Sequence, residues 1–129
     1  MPTAYFREMT EIAVLGAIGY FAVFGAGFVF RPDLVERFAL SWSDPAGKTE
    51  VRCYYGAVSW ALAGFLGYLL TQDLADEALV GVLILASSVL TMRVIGTVVD
   101  GGMSHPYSRS ALPVEALFVL AVAAVVVFG

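Results

Sequence analysis

Four apolar runs constrain this chain before any other feature does. Ile12–Phe30 carries no charge, Val51–Leu70 carries only Arg52, Ala78–Val99 only Arg93, and Ala111–Phe128 only Glu115. Each run is 18–22 residues long, and a bilayer core is crossed by about 20 residues of helix. A helix at the surface of a soluble domain keeps a polar stripe along one side, and these runs do not. The expected fold is therefore all-α: a four-helix transmembrane bundle forming one domain over residues 1–129, with helices about 12–30, 45–70, 78–100 and 111–128. Composition agrees, because 60% of the residues are hydrophobic and 14% charged, against about 45–50% and about 25% in soluble domains.

The first run is read as a retained helix rather than a cleaved leader. Glu8 and Glu11 stand beside Arg7 where a leader would be basic, and the apolar run is longer than a leader's usual ~7–15 residues. Between the first two runs, "RPDLVERFALSW" sets Leu34, Val35 and Phe38 on one side, with Asp33 and Arg37 spaced to pair at i,i+4. A short helix on the membrane surface with Trp42 near the headgroups fits this pattern, and so does an ordinary polar loop. Asp44 can cap the next helix, and Pro45 suits its first position. "TQDLADE" is short enough to make the second and third helices antiparallel neighbours. Gly19, Ala22 and Ala26 on the first helix, and Gly56, Ser59, Ala63 and Gly67 on the second, are small residues of the kind that let helices approach closely in lipid. Packing within one chain explains them more simply than a homodimer seam.

Basic residues set the expected orientation. Arg31, Arg37, Lys48, Arg52 and Arg109 fall on one side and Arg7 on the other. The positive-inside rule then places loops 31–50 and 100–110 in the cytoplasm and both termini outside, in a multi-pass protein of the cell membrane. The partners expected on this basis are the lipid bilayer and, in addition, a second copy or a larger membrane complex. A net charge of −4 leaves no broad basic surface for nucleic acid.

Ionisable residues gather at one end of this layout. Glu50 and Arg52 open the second helix, Arg93 lies within the third and Asp100 ends it, and Glu115 lies early in the fourth. Each has a plain explanation: Arg93 can snorkel, and Glu115 can complement the positive end of a helix opened by Pro113. Asp100 is harder to explain, because it opposes the dipole at a helix end that Gly101 and Gly102 already terminate. Ionisable groups inside membranes usually pair or line a cavity. The expectation is that Arg93 meets Glu115, with Glu50, Arg52, Tyr55 and Asp100 completing a binding or structural polar layer.

The stretches "EVRCYYGAVSWALAGFLGYLL", "MRVIGTVVDGGMS" and "PVEALFV" together resemble the domain-of-unknown-function family 4345, small bacterial membrane proteins with four predicted helices. The matching positions are Glu50, Arg52, Tyr55, Gly56, Arg93, Gly96, Asp100, Gly101 and Glu115, with Ala57 in place of a second glycine. The resemblance covers nearly the whole chain and implies a bacterial inner-membrane protein with a polar site. It brings no activity with it.

Other chemistry is sparse. Gly47-Lys48-Thr49 lacks the upstream glycine of a phosphate loop, since Trp42 stands there. One cysteine and one histidine cannot build a three- or four-ligand zinc site, so no metal and no cofactor are expected. Cys53 is expected to be buried, and His105 to be solvated in its loop. Three function classes remain: a non-catalytic accessory or scaffold subunit; a carrier or binder of a small anionic or lipid-like ligand; and a membrane enzyme using Glu115 or Asp100 as acid or base. No catalytic residue is assigned, because no nucleophile–base pair or cofactor motif is legible.

Overall fold

The computed structural model describes residues 4–101 and 106–128. Its long elements are α1 (Ala4–Phe30), α2 (Pro45–Thr71), α3 (Ala75–Asp100) and α4 (Pro106–Phe128). A 3₁₀ segment, Pro32–Phe38, lies between the first two, and no strand occurs among the described residues. The fold is all-α, with four helices long and apolar enough to cross a membrane. The chain divides into two compact units: residues up to Val14 with those from Leu74 onward, and Leu15–Asp73.

Three helices begin earlier than expected. α1 starts at Ala4, so that Arg7 and Glu11 form an exposed i,i+4 pair at 3.6 Å. α3 starts at Ala75, which puts Asp76 and Glu77 in its first turn, where acidic groups favour the helix dipole. α4 starts at Pro106 rather than at 111, so Pro113 is an interior proline and not a first-turn one. Pro106 takes the first helical position instead, where a missing N–H costs nothing. At α3's other end, Gly101 adopts φ 70° and donates its N–H to the Thr97 carbonyl, which is the glycine stop expected there.

In the Leu15–Asp73 unit, two glycines let α1 and α2 touch. A Cβ on Gly25 would lie 2.5 Å from Trp60 Cδ1 and 2.9 Å from the Gly56 carbonyl oxygen. One on Gly56 would lie 2.5 Å from Val29 Cγ2. With no side chain at Gly25, the Trp60 indole lies across α1 and donates to the Ala22 carbonyl at 3.0 Å. This face of α2 continues through buried Ser59 and Leu66, whereas Gly19 and Gly67 meet nothing within 4 Å. The small-residue stripe is thus used at its Gly56 and Ser59 end, against a glycine the stripe on α1 did not include.

α2 is not uniform. Over Arg52–Ala57 its turns widen to the π form, with the Val58 N–H bonding back five residues to the Cys53 carbonyl. The Ser59 hydroxyl donates to the Tyr55 carbonyl at 2.7 Å, so a carbonyl of the widened turn gains a side-chain donor. At its start the cap is as expected: Asp44 is extended (φ −147°, ψ 148°) and its Oδ1 accepts from the Ala46 N–H at 2.9 Å.

The segment after α1 turns back onto it. Val35 is fully buried, and the Phe38 ring lies 6.2 Å from Phe24 and 5.5 Å from Phe28. Tyr55 joins the same cluster, 5.4 Å from Phe28. Its apolar side is therefore covered by the chain's own aromatic rings. Asp33 faces Arg31 at 4.0 Å instead of the expected Arg37. The cause is the tighter coil: at three residues per turn, positions i and i+3 line up and i,i+4 neighbours separate.

Candidate functional site

The polar centre lies in the other unit, between α3 and α4. Arg93 Nε donates to Glu115 Oε2 at 2.6 Å, a short charge-assisted bond. Nη2 of the same guanidinium reaches the Tyr107 hydroxyl at 3.4 Å, and its Cζ lies 5.2 Å from the centre of the Tyr107 ring. The side chains of Arg93 and Glu115 are 23% and 25% exposed. That is well short of the exposure at which ion pairs contribute almost nothing.

Helix geometry brings these groups together. Side chains on a helix tilt towards its N-terminus. Arg93 therefore starts out away from the Asp100 end of α3, and Glu115 leans towards the Pro106 end of α4. The two stems converge. Tyr107 stands two turns before Glu115, about 12 Å along the helix, so the guanidinium holds one partner on each side.

Of the residues expected to form a layer, the structure brings together Arg93 and Glu115. Asp100 is exposed at the end of α3, seven residues beyond Arg93 on the side its stem leaves. Glu50 and Arg52 belong to the Leu15–Asp73 unit, and both are exposed. Tyr55, in that same unit, packs in the aromatic cluster. Cys53 is exposed rather than buried, because the π turn presents it outward beside Arg52 and Tyr54. His105 lies outside the described residues. Sequence reasoning misses Tyr107, because 100–110 reads as a loop. Pro106 at a helix start would have placed it on α4 ahead of Glu115.

Chemically, the arrangement is a neutralised pair with a phenol beside it. Glu115 is held by a permanent cation. No protein-family model matches the chain, and no curated protein or solved structure matches it either. The resemblance drawn from Glu50, Arg93, Asp100 and their neighbours therefore rests on the residues alone.

Proposed function

We propose that this chain is a small integral protein of a bacterial inner membrane, acting as a non-catalytic accessory or scaffold subunit, and that it belongs with the domain-of-unknown-function family 4345 it resembles. Support for the membrane comes from what the helices leave uncovered. Val122 alone is buried among the described side chains of α4, while Leu117, Phe118, Leu120, Val127 and Phe128 are exposed. Such a surface suits lipid and would be an aggregation hazard in water. Loops 31–50 and the α3–α4 connection face the cytoplasm in this reading, since Arg31, Arg37, Lys48, Arg52 and Arg109 outnumber Arg7.

The observation that carries the non-catalytic role is the 2.6 Å bond from Arg93 to Glu115. It commits the two ionisable groups within the α3 and α4 runs to each other. After washing with alkaline carbonate, the chain should stay with the bilayer. Purified in mild detergent, it should carry a second membrane protein, or a second copy of itself, at a fixed ratio. Release by carbonate would end the membrane reading. A chain that purifies alone and converts or transports a small molecule would end the accessory one.

A further inference from the structure

The guanidinium of Arg93 has five N–H groups, and its partners among the described residues use two: Nε for Glu115 and one on Nη2 for Tyr107. Nη1 has no acceptor there, and no buried side-chain nitrogen or oxygen among those residues lacks a partner. Nη1 is therefore not fully enclosed, consistent with the 23% exposure of the side chain. Glu115 engages the guanidinium through a single bond at Nε, away from the Nη1–Nη2 edge. Parallel N–H groups on such an edge match two oxygens of a phosphate. Arg93 lies seven residues before the end of α3, about 10 Å along the helix, and its guanidinium meets the hydroxyl of Tyr107, the second residue of α4.

We infer that the outer edge of Arg93 binds an anionic phosphate group, with the Tyr107 hydroxyl beside it, while Glu115 holds the guanidinium in place. This rests on the membrane reading given above. It adds a ligand class to a pair otherwise only structural. The group can belong to a lipid headgroup or to free phosphate, and the chemistry at Arg93 is the same for both.

The test is binding of phosphatidylglycerol to the purified full chain in detergent, followed by native mass spectrometry, with diacylglycerol, which has no phosphate, as the control. One phosphatidylglycerol should be retained in preference to diacylglycerol. Arg93→Lys keeps the charge but has no paired N–H edge, so it should bind at least about fivefold more weakly. Glu115→Gln removes the offsetting negative charge at little change in shape, and should bind several-fold more tightly, a gain that loss of a merely structural pair would not produce. Competition by millimolar inorganic phosphate assigns the site to free phosphate, and resistance to it assigns the site to the lipid. Equal retention of the two lipids, or unchanged binding in both variants, would overturn the inference. A chain that stays soluble without detergent would instead defeat the membrane reading on which it rests.

Discussion

Arg93→Leu is expected to destabilise the protein by about 1–3 kcal/mol, and Arg93→Leu combined with Glu115→Leu by less. Breaking a buried ion pair costs about 3–5 kcal/mol because one charge is left without its partner. The lower figure here follows from side chains that keep 23% and 25% of their exposure. Removing both partners leaves no orphan and adds two apolar side chains to surroundings that suit them. Thermal or denaturant unfolding in one detergent, with the two single variants and the double variant compared, reads the coupling directly. Strictly additive effects would mean that the 2.6 Å bond contributes nothing to stability.

The other large effect is expected at Gly25. Its substitution by alanine should cost about 1–3 kcal/mol, the range for overpacking a close contact. The new methyl would stand 2.9 Å from the Gly56 carbonyl oxygen, part of a helix backbone, and 2.5 Å from the Trp60 indole. Easing that clash moves the indole off the Ala22 carbonyl and breaks the 3.0 Å bond between them. Gly64→Ala is the control, because its methyl would meet nothing within 4 Å. Alanine's better helix propensity should leave that variant unchanged or slightly more stable. Equal effects at Gly25 and Gly64 would mean that close approach of α1 and α2 is not what Gly25 provides.

The four long helices were legible because nothing but helix accounts for runs such as Ile12–Phe30 and Ala78–Val99. Their ends were not. Polar first turns carry no apolar signal, so Arg7, Asp76 and Arg109 read as loop although all three are helical. On α4, two prolines can each open a helix, and only Pro113 lies within the apolar run. Pro106 opens it, and reading the start at the apolar run hides Tyr107. The pairing of Arg93 with Glu115 could be anticipated from depth, since few ionisable groups occupy those helices and each is costly alone. Tyr55 packs against Phe28, and nothing in "RCYYGA" announces a π turn or decides which of its side chains meets that ring. Gly25 was missed for a similar reason: a glycine's role depends on what approaches it, and here that is an indole from a residue 35 positions away.

Side-specific labelling of single cysteines tests the membrane account most directly. Cys53 would first be replaced by serine, since it is exposed. One cysteine would then be placed at Ser43, before α2, and another at Asp76, at the start of α3; both positions are exposed. A membrane-impermeant maleimide applied to intact inner-membrane spheroplasts should label Asp76→Cys at once, and Ser43→Cys only after the membrane is opened. Labelling of both from the same side would contradict the account, because α2 would then not cross the bilayer.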